Sequence, residues 1–295
     1  MDSDSENNRA SAYFWVMLGT LMFAVMFIIP KHLGDGFSPV QVTFFRYLSG
    51  FLTICPVYLF RRRVIRAQAH AITGYGFHLS RAFFGVMTTV SITYAVTHIP
   101  LANANAINMT SGMFAALFAV MFLGERLGWR GAAAIFVSFA GAVIVAQPKF
   151  DAAGPWLTAG EIAALISAMA WGIDSVILKY AAGRDDPSRL LVVVNGAASL
   201  LLLGPALYLW RDLTIAETGL LMLMGPIAII GQYFNILGFR QGNAINVSVI
   251  RYTGIFFSAM IGIAFFNEWP TATTIIGSLM IFAGAFAMLR FGARR

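Results

Sequence analysis

Residues Asn243 to Ala259 read NAINVSVIRYTGIFFSA, an apolar run that carries one arginine, Arg251, inside it. An arginine at the centre of a membrane helix costs about 2.5–3.5 kcal/mol on insertion scales, and such a residue usually faces the protein interior or a watery cavity. Arg251 lies about two helical turns beyond Ala244, too deep for easy contact with the membrane surface. The stretch therefore predicts a membrane helix beside a polar cavity.

The composition of the whole chain is that of an integral membrane protein. Of its 295 residues, 59% are hydrophobic and 11% are charged, whereas a soluble domain carries about 25% charged residues. The single cysteine, Cys55, excludes a disulfide framework. The chain lacks a GxxxxGK[ST] phosphate loop and a Cys/His cluster, so we expect neither a cofactor nor an enzyme. The net charge of +7 does not indicate nucleic-acid binding, because the basic residues lie where a membrane protein places them.

Ten apolar runs are predicted to span the membrane, since a span needs about 20 such residues. They are Tyr13–Ile29, Val40–Phe60, Phe77–His98, Leu101–Leu123, Gly131–Ala146, Gly160–Lys179, Leu190–Trp210, Gly219–Phe239, Ala244–Phe266 and Thr274–Leu289. Only Ile99-Pro100 separates the third span from the fourth, which predicts a tight hairpin, and we expect another between the eighth and ninth. The fold class is all-α integral membrane, with ten transmembrane helices.

The distribution of Lys and Arg predicts the orientation. With the N-terminus inside, 14 of the 20 basic residues fall on the inner side, 3 on the outer side and 3 within spans. Basic residues are enriched in cytoplasmic loops. We therefore expect a multi-pass protein of the cell inner (plasma) membrane with both termini in the cytoplasm.

The two halves of the chain resemble each other. FAGA at 139–142 recurs at 282–285, and the same shift of 143 pairs Asn103 with Asn246, Thr110 with Thr253 and Glu125 with Glu268. Five spans in each half make the halves run through the membrane in opposite directions. This predicts two inverted five-helix repeats, residues 12–148 and 158–291, with a site near the membrane midplane between them.

Polar residues within the spans predict a substrate-binding cavity. Ser248 shares a helical stripe with Arg251, and the matched stripe of the first half carries Asn105 and Asn108. Polar groups inside a membrane are usually buried against protein or water. The other candidate substrate-binding residues are Tyr94 in the third span, Trp171 and Asp174 in the sixth, Gln232, Tyr233 and Asn235 in the eighth, and Tyr252 in the ninth.

The role of Arg251 has two readings from the sequence. It pairs with Asp174 as a structural or gating ion pair, or it binds a substrate carboxylate or phosphate through its planar fork. A zwitterionic substrate would use both residues, and Asp174 is also a candidate proton relay. Arg46 and Arg81 lie near span ends, where we expect them to reach an interface or cap a neighbouring helix. No metal ligands are expected.

Small residues recur seven apart at matched positions, Ala134 and Gly141 in the first half and Gly277 and Gly284 in the second. Small residues let membrane helices approach closely. The pattern suits close helix packing within the chain or the contact of a homodimer.

The motifs taken together resemble the drug/metabolite transporter superfamily, of the EamA type, over nearly the whole chain. They are FAVMFIIPKHL at 23–33, PVQVTFFRYLSGFL at 39–52, RAFFG at 81–85, IPLANANAINMTSGMFAALFAVMFLGERLGWRG at 99–131, FVSFAGAVIVAQP at 136–148 and GNAINVSVIRYTGIFFSAMIGIAFFNEWPTATTIIGSLMIFAGA at 242–285. The second half is similar to the subgroup of riboflavin and S-adenosylmethionine carriers.

The resemblance implies ten helices, cytoplasmic termini, transport by alternating access, and a central cavity lined by spans one, three, four, six, eight and nine. The chain departs from the family pattern at two positions. Phe27 stands where related carriers often have Asp, so an acidic function would fall to Asp174. Gly112 stands where span four often has Pro, which leaves the bend of that span open.

The function expected is secondary active or facilitative transport of a small organic metabolite with an anionic group, amino-acid-like or nucleoside-like. The partners expected are that small-molecule substrate and the lipid bilayer. A broad-specificity drug or metabolite exporter, in which Arg251 is only structural, is the alternative within transport. A membrane protein that does not transport solutes, such as a lipid scramblase, is the alternative from another class.

Overall fold

The computed structural model describes residues 2–68, 74–123, 128–146, 157–182, 185–241 and 250–291, and regular structure in these ranges is helical throughout. The helices, labelled in chain order, are α1 Asp2–Met26, α2 Ile28–Leu33, α3 Pro39–Gln68, α4 Tyr75–His98, α5 Leu101–Met109, α6 Ser111–Leu123, α7 Trp129–Ala146, α8 Ala159–Ala182, α9 Pro187–Tyr208, α10 Ile215–Gln241, α11 Thr253–Phe266 and α12 Ala272–Phe291. A short 3₁₀ turn, Gly34–Gly36, follows α2.

Seven segments of the described chain are long and apolar enough to cross a membrane, and α11 and part of α12 are shorter apolar helices. Large apolar side chains project outward, among them Phe136 at 71% exposure, Leu200 at 73% and Leu279 at 63%. Exposed apolar surface on this scale suits hydrocarbon rather than water. The all-helical membrane fold is thus confirmed. The hairpin at Ile99-Pro100 is also present, while the one expected between the eighth and ninth spans lies outside the described residues.

Three predicted spans are interrupted. The first is divided at Phe27, between α1 and α2, and the fourth at Thr110, between α5 and α6. In the ninth, Arg251 and Tyr252 form a turn just before α11. The Thr110 hydroxyl donates to the Ile107 carbonyl at 2.7 Å. Side-chain bonds of this kind compete with the helical ladder and bend helices, so the bend of span four forms without a proline.

Each half packs against the other through close helix pairs. The pairs include α1 with α10, α4 with α8, α3 with α9 and with α10, α4 with α9, α6 with α8, α5 with α8 and with α11, α1 with α11, and α7 with α12. Helices from residues 12–148 and 158–291 therefore alternate around the middle of the molecule. The result is a shared interior rather than two separate bundles.

The matched small residues lie in the contact between α7 and α12. A Cβ atom built on Gly141 would stand 2.6 Å from the Gly277 carbonyl oxygen, and one built on Gly277 would stand 2.5 Å from the Gly141 oxygen. Ala134 faces Gly284 in the same contact. These residues serve close helix packing within one chain, which is the first of the two readings of this pattern. Their use in a homodimer is not supported by this contact.

Ion pairs tie the helices together at both ends of α4. Beyond its C-terminal end, Lys31 Nζ lies 2.6 Å from Glu268 Oε1 and donates to the Ile99 carbonyl at 2.9 Å. Glu268 also accepts from the Leu101 N–H at 3.0 Å. We call these contacts the Lys31–Glu268 cluster.

At the N-terminal end of α4, the fully buried His78 lies 3.4 Å from Asp185. Asp185 accepts a hydrogen bond from Arg189 at 2.7 Å. These contacts are the Asp185 cluster. At about 1.5 Å per residue, the helical stretch from His78 to Ile99 holds the two clusters roughly 30 Å apart, which is the thickness of a membrane core.

Candidate functional site

A cavity occupies the middle of the molecule, between the two ion-pair clusters. Its space for water-sized molecules is about 100 Å³, enough for several waters by the usual requirement of about 10–15 Å³ each. Helices α1, α3, α4, α5, α8, α9, α10 and α11 all contribute to its wall. Spans two and seven, α3 and α9, therefore join the six spans that the family resemblance implies.

Most of the predicted substrate-binding residues line this cavity. They are Asn105, Asn108, Trp171, Asp174, Gln232, Asn235 and Arg251. Phe27, at the position where related carriers often have Asp, also lines it. Because these side chains come from five separate spans, their meeting supports the predicted cavity.

Three predicted residues are absent from the cavity wall. Tyr94 stacks on His98 with ring centroids 4.0 Å apart, and Tyr233 packs against a second apolar cluster that includes Ile54 and Leu190. Tyr252 is buried in the main core, with its hydroxyl beside Gly112. Tyr252 lies about 100° round the helix from Arg251, so its absence from the wall agrees with helical spacing. Ser248, like Asn246 and Glu125 of the repeat, lies outside the described residues.

Asp174 pairs with Arg81 and not with Arg251. The Arg81 Nε donates to Asp174 Oδ1 at 3.1 Å, and both side chains are almost buried. The expectation that Arg81 reaches an interface or caps a helix is therefore wrong. Because α4 and α8 pack side by side, Arg81 meets the carboxylate of the neighbouring helix.

Arg251 lies over an aromatic ring. Its guanidinium carbon is 4.4 Å from the centroid of the Trp171 ring, a geometry that stabilises a cation through the ring's quadrupole. Neither a hydrogen bond nor an ion pair of this guanidinium is found in the described ranges. Its donors therefore remain available to a ligand in the cavity.

Arg46, like Arg81, is a cavity residue that is not among the predicted substrate-binding residues. It is only 3% exposed, and it lines the cavity rather than an interface. Its guanidinium lies 4.0 Å from the centroid of the Tyr47 ring. The signal that could have found it is its identity, since an ionisable residue within a span is a functional candidate by default.

Neutral polar groups complete the wall. Asn108 Nδ2 donates to Ser167 at 2.6 Å, and Ser167 donates to the Thr88 carbonyl at 3.0 Å. Asn195 Nδ2 donates to Gln232 at 3.2 Å. Several buried cavity atoms have no hydrogen-bond partner within the described chain, namely Thr88 Oγ1, Trp171 Nε1, Asn235 Oδ1 and Ser258 Oγ. Buried polar groups without partners are rare in proteins, and here they form a surface suited to a polar ligand.

The charges of the cavity are unbalanced. Three arginines line it, Arg46, Arg81 and Arg251, against one carboxylate, Asp174, among the residues described. Asp174 forms its ion pair with Arg81. The arrangement can therefore hold an anionic group by charge-assisted hydrogen bonds, which are stronger than neutral ones.

Relatives of this chain are membrane transporters. The pseudopaline exporter CntI of Pseudomonas aeruginosa is 29% identical over 285 residues, which cover 95% of this chain and 96% of the exporter. A riboflavin transporter of Rhizobium johnstonii is 27% identical, covering 95% of this chain and 91% of its own length. An S-adenosylmethionine uptake transporter of Rickettsia bellii is 24% identical, covering 90% and 89%.

A solved crystal structure shares the fold, with a TM-score of 0.63 and 18% identity over 96% of both chains. The sequence profile of the EamA-like transporter family matches residues 10–147 and again residues 158–290. The helices of this protein are apolar on the outside, and polar and charged groups lie at its centre. The chain therefore belongs to the EamA-like transporter family, and it is a membrane transporter that crosses the bilayer several times.

Proposed function

We propose that this protein carries a small organic metabolite with an anionic group across the inner membrane by alternating access, as a secondary active or facilitative transporter. The observation that carries the proposal is the state of Arg251. Its guanidinium is held over Trp171 at 4.4 Å, while the cavity's one described carboxylate is already bonded to Arg81. A substrate carboxylate or phosphate would complete this site. Amino-acid-like and nucleoside-like metabolites are the substrate classes proposed.

The proposed architecture is ten transmembrane helices in two inverted repeats, at residues 12–148 and 158–291. The helix pairs support it, since exchanging the halves converts α1–α10 into α4–α8, α3–α10 into α4–α9, and α6–α8 into α1–α11. A matched detail also supports it. The Thr253 hydroxyl donates to the Ile250 carbonyl at 2.7 Å, as Thr110 donates to Ile107.

Alternating access requires that each end of the cavity can close. In the orientation expected from the charge distribution, with both termini cytoplasmic, the Lys31–Glu268 cluster lies on the outer side. The Asp185 cluster then lies on the inner side. Each cluster joins helices from both halves, so breaking either one would let the halves separate at that end.

The test is ligand-induced thermal stabilisation of the purified protein, because a ligand that binds the native state raises apparent stability. The panel contains anions, zwitterions, cations and neutral ring compounds. Wild type is compared with Arg251→Gln and with Arg61→Gln, a control that removes an exposed arginine from α3.

We expect anions or zwitterions to stabilise the wild type and Arg61→Gln, and to have little effect on Arg251→Gln. If only cations and neutral compounds stabilise the protein, the anionic-substrate proposal is wrong. Equal stabilisation of wild type and Arg251→Gln would indicate a structural role for Arg251 and favour a broad-specificity exporter.

A further inference from the structure

A second cavity arginine lacks a counter-charge. Arg46 is 3% exposed, and its Nε and Nη1 atoms are both buried without a hydrogen-bond partner among the described residues. A buried charge is normally paired and hydrogen-bonded, because removal from water is otherwise strongly unfavourable. Arg46 therefore stands out from Arg81, which has Asp174.

Among the described residues, the surroundings of Arg46 offer a cation–π contact but no acceptor for Nε or Nη1. The Tyr47 ring lies under the guanidinium at 4.0 Å. The Tyr47 hydroxyl is instead 3.2 Å from Thr89 Oγ1, within hydrogen-bond distance. A ring face orients a guanidinium while leaving its N–H groups free for a planar partner. These donors belong to a residue that lines the central cavity.

Arg46 and Arg251 share one chemical state. Both are stacked on an aromatic ring, both line the same cavity, and neither has a carboxylate partner in the described ranges. They come from different halves of the chain, Arg46 from α3 and Arg251 from the turn before α11. A ligand that engages both would bridge the halves that alternating access must move.

We propose that Arg46 is a second anion-binding residue and that the transported metabolite carries two separate anionic groups, one for each arginine. This inference rests on the proposed function, in which Arg251 binds the first group. Two uncompensated guanidinium groups in one cavity select a ligand with two negative charges over one with a single charge, because the singly charged ligand leaves one arginine buried and unpaired.

The experiment uses probe pairs that differ only in charge, glutamate against glutamine and succinate against succinamate. The stabilisation midpoint is the probe concentration that gives half of the maximal rise in apparent Tm. It is measured for wild type, Arg46→Gln, Arg251→Gln and the control Arg61→Gln. We expect the wild type to bind the diacids about tenfold more tightly than the monoamides, since one charge-assisted contact is worth about that factor. In Arg46→Gln the preference for diacids should be lost, so that the two midpoints converge.

Arg46→Lys is a second variant that keeps the inference testable if Arg46→Gln does not fold. It keeps the charge but loses the planar fork, so the preference for diacids should fall about threefold. Equal midpoints for diacid and monoamide in the wild type would overturn the inference. So would an undiminished diacid preference in Arg46→Gln and Arg46→Lys.

Failure of the proposed function gives a different result. If Arg251→Gln binds every probe as the wild type does, or if no anion of either kind stabilises the wild type, then the first anion site is absent and the second inference is lost with it. If Arg251→Gln abolishes binding while Arg46→Gln leaves the diacid preference intact, only the second inference fails.

Discussion

Three arginines in one membrane cavity are stabilised in three ways. Arg81 has a carboxylate, Asp174, at 3.1 Å, whereas Arg46 and Arg251 lie over aromatic rings. The carboxylate pair is close to neutral as a unit. The two stacked arginines have no carboxylate partner among the described residues, and this difference decides which of the three can attract an anionic ligand.

Breaking the Arg81–Asp174 pair should destabilise the protein strongly. Removing one partner of a buried pair leaves the other charge uncompensated, at about 3–5 kcal/mol. We therefore expect a large fall in the apparent Tm for Asp174→Asn, and a smaller fall for Asp174→Asn combined with Arg81→Gln. Thermal unfolding of the two single variants and the double variant in detergent measures this coupling.

The matched cycle uses Arg251 in place of Arg81. Since Asp174 bonds to Arg81, Asp174→Asn and Arg251→Gln should be nearly additive in apparent Tm. Strong coupling with Arg251, and additivity with Arg81, would mean that the ion pair is the one between Asp174 and Arg251.

The sequence predicts much of the candidate site but not its charge balance. Helical spacing brings Asn105, Asn108 and Arg251 to matched heights, and all three line the cavity. Positions near span ends predict that Arg46 and Arg81 reach an interface or cap a neighbouring helix, but both line the cavity. Distance along a helix gives the depth of a residue, but the neighbour it meets depends on helix rotation and tilt, which hydropathy does not report.

At the level of the helices, two of the three interruptions lie at polar residues within apolar spans. The breaks at Thr110 and at Arg251–Tyr252 both flank the cavity. Irregular backbone at membrane depth is tolerated only where protein or a watery cavity covers it. Apolar composition alone does not predict these breaks, because each predicted span extends on both sides of its break.

The contact between α7 and α12 depends on the absence of side chains at Gly141 and Gly277. In Gly141→Ala the new methyl group would lie 2.6 Å from the Gly277 oxygen, too close without a shift of the helices. We expect a loss of about 1–3 kcal/mol, as for other overpacked sites, seen as a lower apparent Tm.

Gly219→Ala is the control for this change. Gly219 is an exposed glycine in α10, and a Cβ built on it meets no atom within 4 Å. Alanine favours a helix by up to about 1 kcal/mol over glycine, so this variant should unfold at the same or a higher temperature. If Gly141→Ala behaves in the same way, the helices do not need their close approach.

The positions of the helices were largely predictable, since each predicted span coincides with a described helix or helix pair, apart from residues 244–249 of the ninth. The length of an apolar run defines each span, and charged residues mark where the span ends. The partners of each helix could not be derived in the same way. They follow from side-chain contacts between distant segments, such as the small residues of α7 and α12.

The two halves meet at both ends of the molecule, and the Lys31–Glu268 cluster is the contact to weaken. Glu268→Gln removes the charge that binds Lys31 at 2.6 Å. We expect this end to open more often. The readout is labelling of Ser258→Cys, a cavity position, by a membrane-impermeant thiol reagent in a Cys55→Ser background.

Labelling from the Lys31–Glu268 side should be several-fold faster with Glu268→Gln than without it. Glu161→Gln is the control, because Glu161 accepts a hydrogen bond from the Thr158 N–H at the start of its own helix. Equal labelling rates for Glu268→Gln and Glu161→Gln would show that the Lys31–Glu268 cluster does not hold this end closed.

Transport itself is best tested in liposomes that contain the purified protein, with counterflow of a radiolabelled anion taken from the stabilising set. Lipid movement between leaflets is measured in the same vesicles. We predict anion uptake by wild type and by Arg61→Gln, little uptake by Arg251→Gln, and no protein-dependent lipid movement. Lipid movement without anion uptake, or uptake that survives Arg251→Gln unchanged, would contradict an anion carrier that binds its substrate through Arg251.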